Sequence, residues 1–335
     1  MEKLSTFLIT GATGSFGKEF VNFLLQKTKA KRIIIFSRDE QKQFNMKNNI
    51  PEKYHERLRF FIGDVRDLPR LNMASSNVDV IVHAAAMKIV MTAEYDPFEC
   101  VKTNINGAQN VVTAALNNGV KKVLALSTDK ACNPVNLYGA TKLASDKIFV
   151  AANHLSGNKI TRFSIVRYGN VLGSRGSVLE VFNKALLNKQ KFFTITDKNM
   201  TRFLITLEEG VKFVNDSLEK MQGGEIFVPK IPSIRITELA KILNPNFKIK
   251  ITGIRPGEKL HELLISKNDA RNTIEFKNYF VIKPEIILTN YRKKKYNDRF
   301  KSVSQDFEYI SNRNTSWLEG QRLKRMIKNF FKENV

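Results

Sequence analysis

The sequence predicts an α/β protein built on a doubly wound parallel sheet, with a smaller, interleaved C-terminal domain for a substrate. Three observations carry this. Short apolar runs alternate with helical stretches through the first half of the chain, the pattern of parallel strands joined by crossover helices. A glycine-rich turn follows the first of these runs. Polar clusters then stand where later strands end, and open parallel sheets bind ligands beyond the carboxyl ends of their strands.

The bulk properties agree with this class. The 335 residues suffice for one large domain or two interleaved ones. Composition is that of a globular protein, 42% apolar and 26% charged. No apolar run approaches a membrane span, and the first apolar strand runs straight into a glycine-rich turn, unlike a signal peptide. Cys100 and Cys132 form neither a metal cluster nor a disulfide framework, so no metal is expected and a reducing, cytoplasmic setting is. The formal net charge of +23 is the unusual number, and by itself it invites a nucleic-acid reading. The basic residues are spread along the chain, however, with no zinc knuckle, RNP-like motif or helix-turn-helix. A basic cleft for an anionic small substrate and a plain Lys-, Asn- and Ile-rich bias are the alternatives, and the bias ranks first.

Taken in order, residues 6–10 form the first strand, followed by Gly11-Ala-Thr-Gly-Ser-Phe-Gly17 and a helix over about 18–27. The GxxGxxG spacing between strand and helix lets backbone amides approach a pyrophosphate at the helix N-terminus. This is the Rossmann arrangement. Residues 31–37 are the second strand, and Ser37-Arg38 with Lys42 follows it. Arg accommodates a 2′-phosphate where an acid would accept from a 2′-hydroxyl, so NADP is favoured, while Asp39 keeps NAD open. The third strand, 58–62, ends in Gly63-Asp64-Val65, where Asp64 suits an adenine amino group. The fourth, 78–83, ends in Ala84-Ala85-Ala86, small enough for the backbone to pass close to a dinucleotide, with Lys88 in the same loop. A helix over 97–118 carries Thr103 and Asn104 near its start.

The fifth strand, 123–126, presents Ser127, Thr128, Asp129 and Lys130, then turns through Asn133-Pro134 into a helix over about 138–153 with Tyr138 and Lys142. Residues four apart share a helix face, and a cation near a phenol lowers its pKa. Tyr138 is therefore a candidate general base for a hydroxyl losing hydride to a nicotinamide, with Thr128 bonding the same oxygen. Asp129 and Lys130 add a second proton transfer. Oxidation of a sugar 4-hydroxyl acidifies C5–H, so a base can remove that proton while an acid protonates the departing 6-hydroxyl. Lys130 must be neutral to serve as that base. A sixth strand over 161–167 leads into the glycine-rich segment 168–176, where the cofactor domain hands over to the substrate domain. The division is thus 1–170 and mainly 171–335, with a strand near 225–228 returning to the sheet. The basic stretch 291–301 is expected to be solvated. Residues 321–332 form a basic amphipathic helix that either lies on a membrane or, as is commoner, packs its apolar face on its own domain.

The motifs TGATGSFG, GDVRD, STDKACNPVNLYGATKLASDK, VRYGNVLGSRGS, MTRF, GGEIFVPKIPS and IRPGEKLHE together resemble the inverting UDP-N-acetylglucosamine 4,6-dehydratases, over about residues 5–285. These are extended short-chain dehydrogenase/reductases that begin pseudaminic acid synthesis. The resemblance implies bound NADP, elimination of water with inversion at C5, and UDP-2-acetamido-2,6-dideoxy-β-L-arabino-hexos-4-ulose as product. It also implies a homo-oligomer, hexamer or dimer, with no nucleic-acid or membrane partner. Asp129 and Lys130 take the roles of acid and base, Tyr138 and Lys142 form the oxidation pair, and Thr128 assists. Cofactor contacts are expected from Gly11, Thr13, Gly14, Ser15, Phe16, Gly17, Ser37, Arg38, Lys42, Asp64, Val65, Ala84, Lys88, Tyr138, Lys142 and Val171. Substrate contacts are expected from Lys88, Thr103, Asn170, Arg202, Arg255 and Glu258. Where the family usually reads Lys-His-Val-Pro, this chain has Lys88-Ile89-Val90-Met91. Tyr138 stands where the related retaining dehydratases commonly have Met. A retaining dehydratase and a UDP-sugar 4-epimerase are the competing enzyme readings. A dinucleotide-binding regulator or a basic nucleic-acid-binding protein is the competing non-enzyme one.

Overall fold

The structure, a computed structural model, describes residues 4–157, 160–174, 176–286, 296 and 298–334. The first half alternates as expected: β1 (Thr6–Thr10), α1 (Ser15–Lys27), β2 (Arg32–Ser37), α2 (Glu40–Asn48), β3 (Leu58–Ile62), α3 (Leu68–Ala74) and β4 (Val80–His83). Then come α4 (Val90–Tyr95), α5 (Pro97–Val101), α6 (Gly107–Asn117), β5 (Lys122–Thr128), α7 (Leu137–Leu155) and β6 (Arg162–Tyr168).

Successive strand residues point to opposite faces, and both faces here are covered, so the strands read as unbroken apolar runs. In β1, Phe7 and Ile9 join the layer formed with Phe20, Val21 and Leu24 of α1. Leu8 turns the other way, into the layer with Leu71 of α3, Val111 of α6 and Phe149 of α7.

The second half is interleaved with the first. It runs β7 (Asn170–Val171), α8 (Val178–Leu187), β8 (Phe192–Ile195), β9 (Thr201–Ile205), α9 (Leu207–Lys220), β10 (Ile226–Pro229), β11 (Ser233–Arg235), α10 (Ile236–Leu243) and β12 (Lys248–Ile251). It ends with β13 (Leu263–Ile265), α11 (Lys267–Ala270), β14 (Thr273–Glu275), β15 (Tyr279–Ile282), β16 (Lys301–Ser302), β17 (Tyr309–Ile310) and α12 (Gly320–Asn334). The main sheet has the order β16-β14-β15-β10-β6-β5-β4-β1-β2-β3. From β3 to β10 all neighbours are parallel, and β15, β14 and β16 extend the edge antiparallel. The strand order reverses between β1 and β4, the switch point at which such sheets bind nucleotides. A three-stranded sheet, β11-β9-β7, and the pair β12-β8 belong to a second lobe. Its core holds Leu179, Phe182, Phe193, Ile195 and Leu239. Leu323 and Ile327 of α12 are buried in that core, so the amphipathic C-terminal helix packs on its own lobe.

Two local expectations change. The single helix over 97–118 is broken into α5, a π-helical turn at Lys102–Asn106, and α6. A π turn inserts one residue without disturbing the apolar periodicity on either side, so the sequence pattern could not reveal it. The glycine-rich hand-over segment contains β7, which joins the second lobe's sheet through β9. Arg175 and most of the basic stretch (291–295 and 297) lie outside the described residues, while Asp298–Lys301 of that stretch is exposed.

Candidate active site

The site forms where the carboxyl ends of β1, β4 and β5 meet the second lobe. The Gly11 position, at φ +66°, is one that side chains rarely adopt, and a Cβ there would lie 2.9 Å from the Ala85 backbone. The turn after β1 and the loop after β4 are therefore in backbone contact, a cradle sized for glycine. With the N-terminus of α1 opening at Ser15 directly above it, the cradle fits the pyrophosphate of a dinucleotide. Thr13 is buried within this turn, beside Gly14, Ser15, Phe16 and Gly17.

Beyond β2, Asp39 is committed elsewhere. Its Oδ1 accepts the Lys42 backbone N–H at 2.8 Å as the N-cap of α2, and its other oxygen pairs with Lys42 Nζ. Arg38 is exposed and stands 3.6 Å from Asp64. Ser37 is buried and bonded to Gln43 Nε2 at 3.0 Å. Asp64 is held by Arg66 at 2.9 and 2.7 Å. Burial alone would raise its pKa, but the hydrogen bonds and charges of Arg66 hold it low. Val65 is buried against Gly107.

The loop after β4 is pinned by the π turn. Asn104 Oδ1 accepts the Met87 N–H at 2.9 Å, and its Nδ2 donates to the Met87 carbonyl and to Thr141 Oγ1, each at 3.0 Å. Thr103 is buried beside it. Lys88 is exposed, and the divergent Ile89 and Met91 are 58% and 60% exposed, so it is Val90 that packs on the Tyr138 cluster. A clamp from Asn104 thus holds a loop from which His and Pro are missing.

The candidate catalytic cluster is built on a one-turn 3-10 helix, Asp129–Ala131, at the end of β5, capped by Thr128. Asn136 caps α7 by accepting the Gly139 N–H at 2.7 Å, and its Nδ2 donates to the Gly257 carbonyl at 2.7 Å. A Cβ at Gly139 would sit 2.3 Å from the Lys130 carbonyl, so α7 reaches the 129–131 turn only through a glycine. Lys130 Nζ lies 3.1 Å from Asp129 Oδ1 and 3.2 Å from Glu262 Oε1. Glu262, 2% exposed, is the residue that sequence reasoning left without a role. It ends the quoted IRPGEKLHE motif, and that motif was the available signal. Arg202 Nε stands 3.6 Å from Glu262, and its Nη2 stands 3.5 Å from Glu258. Arg255 is exposed at the mouth, and its backbone N–H donates to Glu258 Oε2 at 3.3 Å. Asn170 and Arg202 share a face of the small sheet, since Asn170 pairs with Leu204, two residues from Arg202. Val171 follows in β7.

Charge is arranged unevenly. Burial, and then the charge of Glu262, raises the Asp129 pKa. Burial opposes ionisation of Lys130 and Glu262, but Asp129 and Glu262 raise the lysine above its usual value, while Lys130, Arg202 and Lys259 hold Glu262 low. Within the cluster, Asp129 is thus the carboxyl disposed to hold a proton, while Lys130 and Glu262 are disposed to stay charged. Tyr138 departs from expectation: burial pushes its phenol up to about 12, and the leading cation acting against this is Lys130, with the Thr128 hydroxyl in the same direction. Lys142 Nζ instead donates to the Leu126 carbonyl at 2.7 Å, and burial lowers its pKa. Three buried acceptors, Asp129 Oδ2, Asn170 Oδ1 and Glu262 Oε2, receive no hydrogen bond from the described residues. Buried polar atoms are normally bonded, so this trio fits a polyhydroxylated ligand. No group of His, Cys, Asp and Glu among the described residues is arranged to hold a metal, and no described helix is long and apolar enough to cross a membrane.

Residues 7–284 match the family described as polysaccharide biosynthesis protein. The chain is 55% identical over 324 residues to the UDP-N-acetylglucosamine 4,6-dehydratase (inverting) of Campylobacter jejuni subsp. jejuni serotype O:23/36 (strain 81-176), covering 96% of each. It is 39% identical to the UDP-glucose 4-epimerase of Rickettsia akari (strain Hartford), over 96% of this chain and 95% of that one. Among solved structures, Pen from Bacillus thuringiensis superposes with a TM-score of 0.88 at 34% identity, covering 98% of each chain. These agree with the resemblance and the fold class drawn from the sequence, and the chain belongs to the polysaccharide biosynthesis protein family as a relative of the inverting dehydratase along nearly its whole length.

Proposed function

We propose that the protein is a C5-inverting UDP-N-acetylglucosamine 4,6-dehydratase yielding UDP-2-acetamido-2,6-dideoxy-β-L-arabino-hexos-4-ulose. The observation that carries the reading is the pairing of Lys130 with the buried Asp129 beside Tyr138, an acid and an amine where 4-epimerisation needs neither. A nicotinamide dinucleotide held in the glycine-rich cradle at residues 11–17 would supply the hydride chemistry at C4 and C6. Tyr138 accepts the 4-hydroxyl proton, with Thr128 bonding the same oxygen. Lys130 as free amine takes the C5 proton. Asp129, whose pKa is raised by burial and by Glu262, gives its proton to the departing 6-hydroxyl. Asn170 and Arg202 hold the nucleotide sugar from the second lobe, with Arg255 and Glu258 at its mouth. Arg suits the diphosphate because its fork donates two hydrogen bonds at once.

The cofactor is NADP in this reading, because Asp39 is occupied as an N-cap while Arg38 stands exposed beside the expected ribose position. Residues 1–170 with the strand Ile226–Pro229 form the cofactor lobe, and 171–335 mainly the sugar-nucleotide lobe. A cytoplasmic homo-oligomer acting at the start of pseudaminic acid synthesis completes the proposal. Proton NMR of UDP-N-acetylglucosamine turnover in heavy water tests it. Solvent deuterium at C5 and the L-arabino ketone are expected, and a C4 epimer free of C5 deuterium would refute the dehydratase assignment.

A further inference from the structure

Lys130 presents a difficulty for the reaction just proposed, on which this inference rests. A base must be a free amine, yet Lys130 Nζ lies between two buried carboxylates, 3.1 Å from Asp129 Oδ1 and 3.2 Å from Glu262 Oε1. One of them must take its proton before C5 can be deprotonated. Asp129 is unsuited, because it must itself carry the proton for the departing 6-hydroxyl, and its Oδ1 already accepts from Thr128 Oγ1 at 2.9 Å. Glu262 is suited. Its backbone is fixed on both sides of Ser311, the N–H donating to Ser311 Oγ and the carbonyl accepting the Ser311 N–H, each at 2.9 Å. Its Oε2 is buried and bonded to nothing among the described residues.

What keeps Glu262 ionised is its surroundings. Asp129 and Lys130 face it from the turn after β5, Arg202 from β9, and Lys259 from the loop that precedes it. Arg202 is the one of these expected to contact the substrate, and its Nε is 3.6 Å from Glu262. We infer that Glu262 is a positioning residue for the base: when an anionic diphosphate engages Arg202, the proton on Lys130 Nζ passes to Glu262 Oε1 and frees the amine to act at C5. The Nζ–H bond breaks, an Oε1–H bond forms, and nitrogen keeps its electron pair. One positive and one negative charge vanish together, so the net charge of the cluster is unchanged and no oxidant or reductant is required. The consequence is substrate-gated activation, in which the base exists only when the nucleotide sugar is seated.

Glu262→Gln and Glu262→Asp, compared with wild type on UDP-N-acetylglucosamine in heavy water, test this. Three signals are followed: reduced-nicotinamide absorbance for C4 oxidation, deuterium at C5, and dehydrated product. In Glu262→Gln, C4 oxidation is expected to persist. C5 deuterium and product should fall about 10²–10⁴-fold, the usual worth of a positioned acid–base group. Glu262→Asp, which keeps a titratable carboxyl, should recover part of the loss with a displaced acidic limb in the pH profile of kcat, and it carries the test if the Gln variant does not fold. Wild-type C5 exchange in Glu262→Gln with an unchanged pH profile overturns the inference alone. So does loss of C4 oxidation in step with C5 exchange in both variants, since that marks a prop for the fold. Absence of C5 deuterium from the wild-type reaction overturns the dehydratase reading and this inference with it.

Discussion

Removing the ammonium of Lys130 tests the cluster's electrostatics and its chemistry together. Lys130→Ala leaves Asp129 and Glu262 buried without the cation they share, and of the two only Glu262 keeps an ion pair, with Arg202 at 3.6 Å. Breaking a buried ion pair by removing one partner costs about 3–5 kcal/mol. Asp129 can relieve part of this by holding a proton, which burial and Glu262 favour, so the low end, about 3 kcal/mol, applies. With an unfolding entropy of about 2.1 cal/mol/K per residue over 335 residues, that loss lowers Tm by roughly 4 °C. The sign with pH follows from the two carboxyls. Without the lysine both carboxyls lose a cation that lowers their pKa and titrate higher than in the wild type, so the penalty grows as pH rises through the carboxylate range. Thermal unfolding should therefore show a wider gap between wild type and variant at pH 8 than at pH 4. Turnover in heavy water should lose C5 deuterium about 10²–10⁴-fold, while NADP binding persists. Full turnover, or a gap in Tm that does not change with pH, would refute the reasoning.

Further expectations concern the surrounding structure. His83, buried with Nδ1 2.8 Å from Thr10 Oγ1, has its pKa pushed down to about 3 by burial and then by Lys142. The unfolded chain titrates near 6.5, so this contribution is complete above that pH and declines as pH falls towards 3, by up to about 1.4 kcal/mol per unit. Acid unfolding of His83→Gln should have a shallower slope in that window, and an identical slope would contradict the assignment. Gly139→Ala places a Cβ 2.3 Å from the Lys130 carbonyl. Overpacking of this kind costs about 1–3 kcal/mol, and kcat should fall while NADP affinity holds; an unaffected kcat would show that α7 can shift freely. Arg38→Ala should weaken NADP at least about tenfold, from the loss of a charged hydrogen bond, and leave NAD nearly unaffected. Equal losses by calorimetric titration would remove Arg38 from the 2′-phosphate site.

Legibility in the sequence followed how local each signal was. The strands of the first half could be read because each carries its own period and its own turn chemistry, and the glycines of the first turn announce a close approach that the contact between Gly11 and Ala85 realises. Tyr138 and Lys142 could be placed on one helix by spacing, yet spacing could not say which cation meets the phenol. In the folded protein the leading one is Lys130, while Lys142 is drawn to the Leu126 carbonyl. The π turn at Lys102–Asn106 and its clamp on Met87 were invisible because one inserted residue leaves both flanking apolar faces intact.

By itself the sequence determined the parallel sheet, the nucleotide cradle and the presence of an acid, an amine and a phenol within ten residues of one another, Asp129 to Tyr138. Those depend on propensity, period and spacing, all of which act over a few residues. Only the tertiary structure decided the electrostatic setting of that cluster. Glu262 and Arg202 are distant from it in sequence, and the packing of the chain brings Glu262 within 3.2 Å of Lys130 and Arg202 within 3.6 Å of Glu262. A Coulomb interaction depends on distance and burial, and neither is written in the order of residues along the chain.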